Sequence, residues 1–275
     1  MLELPEAYSI SQQIKKNLTG KRITHIITLQ SPHKLTWFNG DPGAYNKMLM
    51  GKTIENATYC GGMVKIELGK TTLLLSDGIN LRYFENSCNL PPKHQLLLEF
   101  SDSTYLCSST QMYGGIVCFQ NGIYENDYYK AALEKPSPLS SDFTKNYFLS
   151  LLKSINPEKT SAKAFLATEQ RIPGLGNGVL QDILFNASIH PKRKMNSLGE
   201  KEIENLYNSI IATLREMCDR GGRNTEKDLF GNSCAYQTLF CKKNLGQPCP
   251  SCGSVIEKAN YMGGTIYYCG KCQKY

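Results

Sequence analysis

The chain has 275 residues, of which 41% are hydrophobic and 20% are charged, and its formal net charge is +7. This length is enough for about two domains with buried cores. No segment approaches the ~18 apolar residues that cross a bilayer, and the first twenty residues contain acidic side chains rather than a basic start before an apolar run. We therefore expect a cytoplasmic protein that neither spans a membrane nor is exported.

Cysteine content and charge distribution point to metal ligands and to a polyanionic partner. The chain contains 11 cysteines, and cytosolic reductants keep such thiols reduced unless they bind a metal. Residues 1–130 hold 12 basic against 11 acidic side chains, whereas residues 131–275 hold 19 against 13. A basic second half is compatible with nucleic-acid binding, although many soluble proteins have such an imbalance by chance.

The first half of the chain is predicted to be a helix followed by a β-sandwich or barrel. Apolar residues in 3–18 recur every three to four positions and so share one helical face; they are Leu4, Ala7, Ile10 and Ile14. Short apolar segments then alternate with turn signals. The predicted strands are Ile23–Leu29, Met63–Leu68, Thr71–Leu75, Leu96–Phe100, Tyr105–Cys107 and Ile116–Phe119. The predicted breaks are Asn39-Gly40, Asp77-Gly78 and Gly114-Gly115.

Beyond a Pro- and Ser-rich stretch at 134–141 the periodicity becomes helical, which marks a domain boundary. Helices are predicted near 142–153, 160–168, 177–186 and 199–218, and Gly221-Gly222 ends the last one. The sequence thus predicts an α+β multidomain protein. Its expected domains are an N-terminal β-sandwich over 1–134, a helical domain over 142–230 and a cysteine-rich module over 240–275.

Four cysteines near the carboxyl end have the spacing of a zinc finger. Two pairs, each with two intervening residues, are separated by sixteen residues and can enclose one tetrahedral zinc ion; they are Cys249, Cys252, Cys269 and Cys272. Gly263-Gly264 between them indicates a β-hairpin. Four protein ligands leave no open position, so the ion is predicted to be structural. The finger is rich in lysine, which favours a DNA-backbone contact or simply a solvated basic face.

A glycine-rich turn at Ile172–Gly178 lies between two predicted helices. Its missing side chains allow close approach of another backbone, and its amides can bind a phosphate at the start of the next helix. The simpler interpretation is a tight corner. The helix after this turn ends in a basic cluster that includes Lys192 and Arg193.

Taken together, these features resemble the formamidopyrimidine-DNA glycosylase/endonuclease VIII (Fpg/Nei) family. The resemblance spans the whole chain and rests on four motifs in order: Met1–Glu6, Gly174–Asn177, Ile189–Pro191 and Cys269–Lys274. It implies a β-sandwich, a helix-two-turn-helix domain and a zinc finger. It also implies a monomeric base-excision repair protein that grips damaged duplex DNA between two domains and flips a lesion base, acting as a DNA glycosylase and possibly an AP lyase.

The resemblance also implies roles for individual residues. Asn177 and Gly176 would contact a DNA phosphate, with a local helix cap as the alternative for Asn177. Independently of the resemblance, the basic cluster with Lys192 and Arg193 and the lysine-rich finger with Lys271 are expected to add contacts to the DNA backbone. Glu3 and Glu6 match family carboxylates, of which the first assists proton transfer at the sugar, although the helix dipole could equally give a carboxylate there a structural role.

Three departures bear on the chemistry. The family uses an N-terminal proline amine as its nucleophile, whereas this chain has Leu2, after which Met1 is a poor substrate for removal, so the amine would lie on Met1 or on a processed Leu2. Family cations align with Gly62 and Gly264. Met112 and Tyr113 take the place of the loop that fills the void left by a flipped base, where they could wedge between bases or simply pack.

Three functions stay open at this point. The chain could be a divergent DNA glycosylase that uses Glu3 and a primary amine. It could be a damaged-DNA-binding protein that retains the scaffold without the chemistry. A zinc-finger regulator of transcription or an RNA-binding protein is a third hypothesis, but a lone four-cysteine knuckle without the other motifs would suit it better. In each case we expect a cytoplasmic protein, associated with the nucleoid when bound to DNA.

Overall fold

A computed structural model describes all residues from Met1 to Tyr275. The chain forms two compact units: Met1–Lys130 with Arg220–Ala235, and Ala131–Asp219 with Tyr236–Tyr275. The sequence-based boundaries grouped 220–230 with the helical domain, whereas the structure includes this segment in the first unit. None of the helices combines the length and the apolar composition that a bilayer-spanning segment requires.

The first unit consists of a long helix and a seven-stranded sheet, as the predicted helix and β-sandwich require. Its helices are α1 (Leu4–Leu18) and α2 (Tyr45–Leu49), and its strands are β1 (Ile23–Thr28), β2 (Thr36–Phe38), β3 (Asn56–Cys60), β4 (Met63–Leu68), β5 (Thr71–Phe84), β6 (Leu96–Phe100) and β7 (Tyr105–Gln120). The strand order is β1-β6-β7-β5-β4-β3, all antiparallel, with β2 added parallel to β7. Strands from both ends of the sheet, together with α1, contribute side chains to one apolar core. A core enclosed by two parts of a sheet is the arrangement expected of a β-sandwich.

Two predicted turns are wrong, because Asp77-Gly78 and Gly114-Gly115 lie inside long strands. Asp77 pairs with Gly114 across β5 and β7. A Cβ atom on Gly78 would come within 2.5 Å of the Tyr113 carbonyl oxygen, and one on Gly114 within 2.7 Å of the Ile79 side chain. These glycines therefore allow close approach of neighbouring groups and do not reverse the chain.

The close approach accompanies a bulge in β7. One residue of β5 lies between the pairs Asp77–Gly114 and Ile79–Thr110, whereas β7 has three residues there. The three bulge residues of β7, Gln111, Met112 and Tyr113, are exposed. A β-bulge re-aims side chains at a sheet, so this one presents Met112 and Tyr113 to solvent.

Segment 220–235 returns to the first unit and is anchored there. The Leu229 side chain is fully buried in the core of this unit, and its carbonyl accepts the Tyr83 N–H at 2.8 Å. Gln13 of α1 accepts the Leu229 N–H at 2.9 Å and donates to Asp228 at 3.1 Å. The segment is thereby held against α1.

The second unit contains the predicted helices and the cysteine-rich hairpin. Its elements are α4 (Lys145–Lys153), α5 (Ala162–Ala167), α6 (Val179–Asn186), α7 (Glu200–Asp219), β8 (Glu257–Tyr261) and β9 (Gly264–Tyr268), and α3 (Asp127–Glu134) lies where the chain passes into this unit. Helix α6 is buried along most of its length, which agrees with its nearly continuous apolar sequence. The α+β class, the helical domain and the terminal β-hairpin are confirmed.

Candidate functional site

The amino terminus of α1 places two carboxylates side by side. Glu3 precedes the first turn, Pro5 lies within it, and the Glu6 carboxylate accepts the Glu3 N–H at 3.3 Å. Both acidic side chains are buried. The positive end of the helix dipole favours the anionic form at this position, but two buried anions still need a counter-charge.

Arg223 of the returning segment supplies that charge. Its Nε and Nη2 atoms donate to the two Glu6 carboxylate oxygens at 3.0 and 2.8 Å, and its backbone N–H donates to Glu6 at 3.1 Å. The guanidinium Nη1 lies 3.6 Å from Glu3. Burial would raise the pKa of Glu6, but the charge and hydrogen bonds of Arg223 lower it below its usual value. Glu3 and Glu6 are therefore members of a buried ion cluster.

The first two residues are fixed by the same surroundings. The Met1 amine forms an ion pair with Glu226, and the Met1 carbonyl lies 3.4 Å from Arg223 Nη2. The Leu2 N–H donates to the Asp77 carbonyl at 2.7 Å, and the Leu2 side chain belongs to the core with 8% of its surface exposed. The structure thus places Leu2 as a buried core residue and Met1 as the only amine at this end.

A carboxyl group without a cationic partner lies next to these residues. Asp77 has a left-handed backbone (φ 59°), and its carboxylate accepts the Ser76 hydroxyl at 2.9 Å. Burial raises the pKa of Asp77 above its usual value, in opposition to the Ser76 hydrogen bond. Tyr113 on the bulge of β7 is close enough that burial and the charges of Asp77 and Glu3 raise its pKa.

In the second unit, Asn177 of the glycine turn holds the hairpin. Its Nδ2 atom donates to the Thr265 carbonyl of β9 at 2.9 Å, and no side chain caps α6, so the helix-cap alternative is not observed. Gln181 on the next turn of α6 accepts the Tyr267 N–H at 3.1 Å. The Asn177 Oδ1 atom is buried without a hydrogen-bond partner, so it is available to a donor that is not part of the chain.

Lys163 lies beside Asn177 at Gly264. Its ammonium donates to the Tyr261 carbonyl at 2.6 Å and pairs with no carboxylate. Burial lowers the pKa of Lys163 below its usual value. A Cβ atom on Gly264 would lie 3.3 Å from the Lys163 ammonium and 3.6 Å from the Asn177 amide. A family cation was expected to align with Gly264. The structure instead places the Lys163 ammonium of α5 next to this glycine.

The other predicted DNA-binding residues differ in how free their charges are. The Lys192 ammonium lies 5.6 Å from the centre of the Tyr261 ring. Tyr261 belongs to the same hairpin as Gly264. Lys271 is exposed between the last two cysteines. Arg193, in contrast, forms two hydrogen bonds with Glu202, at 2.5 and 2.8 Å, so its charge is already compensated. Gly62 lies in the turn between β3 and β4.

The four predicted cysteine ligands converge as a metal site requires. Their sulfur atoms all lie within 4.8 Å of one another; they are Cys249, Cys252, Cys269 and Cys272. The Sγ–Sγ distances are 3.8 Å for Cys249–Cys272 and 3.5 Å for Cys252–Cys269. Tetrahedral zinc with Zn–S bonds of about 2.3 Å separates its sulfur ligands by about 3.8 Å. The quartet therefore fits a zinc-sized ion and can hold a metal.

The motif after the last cysteine connects this hairpin to the helical part of the same unit. Gln273 is buried, accepts the Cys269 N–H at 2.9 Å and donates to the Ile189 carbonyl at 2.9 Å. The His190 N–H donates to the Lys274 carbonyl at 3.3 Å. The Ile189–Pro191 and Cys269–Lys274 motifs are thus two sides of one contact.

Two functional candidates were missed by the sequence reasoning, namely Arg223 and Lys163. Both are cations that are buried and lie far along the chain from the groups they approach. Arg223 follows Gly221-Gly222, which was interpreted only as the end of a helix. No local sequence motif marks Lys163 as functional. The one available signal was its position on the apolar face of a predicted helix, where a buried lysine needs a specific partner.

Removal of one cysteine ligand tests the metal site. We expect Cys252→Ser to lose the bound metal, because a hydroxyl does not replace a thiolate on zinc and three ligands leave the hairpin open. Elemental analysis of the purified protein measures this directly. The matched control is Cys241→Ser, which changes a cysteine outside the quartet that contacts Asn244. Full metal content in Cys252→Ser would contradict the assignment.

The ion cluster predicts a stability loss in Glu6→Gln. Breaking a buried ion pair leaves its partner uncompensated, so we expect a loss of about 3 kcal/mol in the free energy of unfolding. The lowered pKa of Glu6 stabilises the fold fully above about pH 4.3, the pKa of an unfolded glutamate, and this contribution is lost as pH falls through the folded-state value. Denaturant unfolding at several pH values should show that the free energy of unfolding falls less steeply toward acid pH in the variant than in the wild type.

The control for this measurement is Glu204→Gln, which removes an exposed ion pair with Lys145. Its melting temperature should stay close to that of the wild type. Equal losses in the two variants would mean that the buried cluster contributes no more than a surface pair.

Comparison with known proteins identifies the family. A family model described as the formamidopyrimidine-DNA glycosylase H2TH domain matches residues 135–228. The formamidopyrimidine-DNA glycosylase of Bacillus cereus is 30% identical over 282 residues, covering 99% of each chain. That of Geobacillus kaustophilus is 29% identical over 285 residues, covering 100% of each.

Solved structures show the same fold. A complex between Lactococcus lactis Fpg and DNA containing an abasic site matches with a TM-score of 0.83 at 22% identity, covering 99% of this chain and 100% of that one. The MutM (Fpg) protein of Thermus thermophilus matches with a TM-score of 0.80 at 22% identity, covering 98% of each chain. With the identity to the Bacillus cereus enzyme over the full length, these matches show that the chain belongs to the formamidopyrimidine-DNA glycosylase family.

Proposed function

We propose that this chain is a base-excision repair protein that binds damaged duplex DNA and turns a lesion base out of the stack, without the amine-based lyase chemistry of its family. The observation that carries the proposal is the ion cluster at the amino terminus. An amine attacks a sugar carbon only when it is deprotonated and free. Here the Met1 amine is held in an ion pair with Glu226, so it is not free to attack.

The other candidates for the chemistry are also engaged. A processed Leu2 amine would start from a buried core position whose nitrogen is held by the Asp77 carbonyl. Glu3 shares the Arg223 guanidinium with Glu6, so its carboxylate is already engaged in the buried ion cluster. The contacts of the Met1 amine, the Leu2 nitrogen and the Glu3 carboxylate thus support a binding function over Schiff-base chemistry.

DNA binding is supported by the surface of the second unit. Lys163 carries a charge that no carboxylate compensates, Asn177 has an unpartnered oxygen, and the Lys192 ammonium lies over the Tyr261 ring of the hairpin that both contact. Two cations and a bare glycine backbone at Gly264 suit a sugar-phosphate chain. Lys271, on the exposed knuckle, would add a contact. The zinc held by the four cysteines would keep this hairpin folded.

Base displacement is supported by the bulge of β7 in the first unit. Met112 is 65% exposed and Tyr113 44% exposed, and both project from a strand that is otherwise paired. Apolar side chains inserted between bases are the usual means by which proteins unstack a duplex step. In this role the protein would act in the cytoplasm, associated with the nucleoid when bound to DNA.

A second candidate function, hydrolytic base removal, is favoured by Asp77. Its carboxyl group is mostly buried, has a raised pKa and pairs with no cation. Such a group can take a proton from water as the water attacks the sugar, which needs no amine. This function would give base release without a covalent protein–DNA intermediate, so the two candidates are separable.

Borohydride trapping on duplexes with abasic or oxidised sites tests the proposal. We expect a mobility shift of the labelled duplex, no trapped adduct and no strand cleavage. An active lyase of the family assayed on the same duplexes is the positive control, and intact-mass analysis of the protein shows whether Met1 remains. An adduct at residue 1 or 2 would contradict the proposal. Base release without an adduct would identify the hydrolytic alternative, provided that Asp77→Asn abolishes it.

The contact through Lys163 gives a separate prediction. Lys163→Met should weaken duplex binding at every sequence and reduce the slope of log affinity against log salt concentration by about one, because one phosphate contact is lost. Lys153→Met, which removes an exposed lysine at the end of α4, is the matched control. An unchanged salt slope in Lys163→Met would show that this ammonium does not contact the backbone.

A further inference from the structure

An exposed apolar surface surrounds the amino terminus of the first unit. It consists of Met1, Leu35, Trp37, Met112 and Tyr113, which we call the amino-terminal patch. Fourteen large apolar side chains are exposed on the whole chain, and five of them lie here. Exposed apolar side chains are therefore clustered at this surface instead of being scattered singly. Trp37 lies in strand β2, Leu35 directly precedes this strand, and the bulge of β7 carries two more members.

Backbone contacts connect these members into one surface. The Gly114 N–H donates to the Leu35 carbonyl at 3.0 Å, and Trp37 is the register partner of Gly115. The Tyr113 hydroxyl lies 3.5 Å from the Met1 sulfur. The patch therefore runs from β2 across β7 to the residue whose amine the family would use.

Trp37 is the fixed element of this surface. A Cβ atom on Gly115 would lie 2.8 Å from the indole Cζ2 and 2.9 Å from Cε2, so the ring rests directly on the β7 backbone. The preceding residue anchors the short strand through a Thr36–Thr110 hydroxyl contact of 2.6 Å, and the following residue, Phe38, packs against the core. With 44% of its surface exposed, Trp37 is rigidly held but covered on one side only.

The charges around the patch suit an uncharged aromatic ligand. At the Met1 and Tyr113 end, Asp77 and Glu226 are acidic, which disfavours a phosphate there. At the β2 end, residues 29–40 contain no acidic side chain, and Lys34 is exposed next to Leu35. Lys34 precedes Trp37 by three residues in the chain, and proteins hold a nucleic-acid backbone and stack its bases by combining basic side chains with exposed aromatic rings.

We propose that Trp37 is a base-stacking residue, whose exposed indole face takes an unstacked nucleobase of the bound duplex. This rests on the proposed DNA-binding function and adds to it a ligand contact on β2, outside the bulge of β7. Met112 and Tyr113 would open the stack, and Trp37 would receive a base that this opening exposes. The base is either the lesion base or the base opposite to it, since both have the same π-face.

The single tryptophan of the chain makes a direct test possible in the unmodified protein. Tryptophan emission, excited where tyrosine does not absorb, reports on Trp37 alone, while the anisotropy of a label at the far end of the duplex reports binding. We expect strong quenching at saturation with a duplex that contains an unpaired or damaged base, and little quenching with a fully paired duplex held at equal occupancy.

Two duplexes separate the sources of the base. One has an abasic-site analogue opposite cytosine, so only the opposite base can stack, and the other has an oxidised purine, which keeps a planar aromatic ring, opposite cytosine. Quenching by the first assigns the opposite base, and quenching by the second alone assigns the lesion base. Binding without quenching by either duplex would overturn the proposal and leave the proposed function intact. The absence of any anisotropy change would count against both.

Substitutions supply the energetic test. Trp37→Leu should weaken binding to the quenching duplex by about ten- to a hundredfold, the range for loss of one base–aromatic stack, and Trp37→Phe should restore part of it. Tyr128→Leu, which removes an exposed aromatic ring outside the patch, is the matched control. Equal affinity of Trp37→Leu and wild type, with unchanged melting temperatures, would contradict the proposal independently of the fluorescence.

Discussion

A single buried guanidinium, that of Arg223, determines what the amino terminus of this protein can do. Two carboxylates at the start of a helix would repel each other if buried alone, and burial of each without a partner would cost several kcal/mol. Arg223 compensates both and also reaches the Met1 carbonyl. The structure can therefore bury Glu3 and Glu6 as anions, but only by engaging the groups that family chemistry would need free.

The same arrangement makes segment 220–235 part of the amino-terminal unit. Glu226 holds the Met1 amine, Asp228 contacts Gln13, and Leu229 enters the core. A segment anchored at three points is unsuited to leave during a reaction cycle. In the second unit a lysine from α5 lies against Gly264, the hairpin glycine with which a family cation was expected to align. Each unit thus retains charged groups of its own, but in arrangements that differ from those that the family resemblance implies.

The sequence predicted the architecture better than the site. Helix α1, the four helices of the second unit and the cysteine hairpin follow from local periodicity and spacing, which the structure preserves. Asp77-Gly78 and Gly114-Gly115 were wrongly predicted as turns, because glycine marks both turns and close strand contacts, and only the facing residue distinguishes them. The roles of Arg223 and Lys163 depend on contacts across 217 and 98 residues of chain, which no local pattern encodes.

The most direct test of this account is a crystal structure of the protein bound to a duplex that contains a natural abasic site. The account predicts that Arg223 still joins Glu3 to Glu6, that the Met1 amine remains on Glu226 and that no electron density connects the protein to the sugar. A Glu3 carboxylate released from Arg223, with the terminal amine bonded to the sugar C1′, would contradict it.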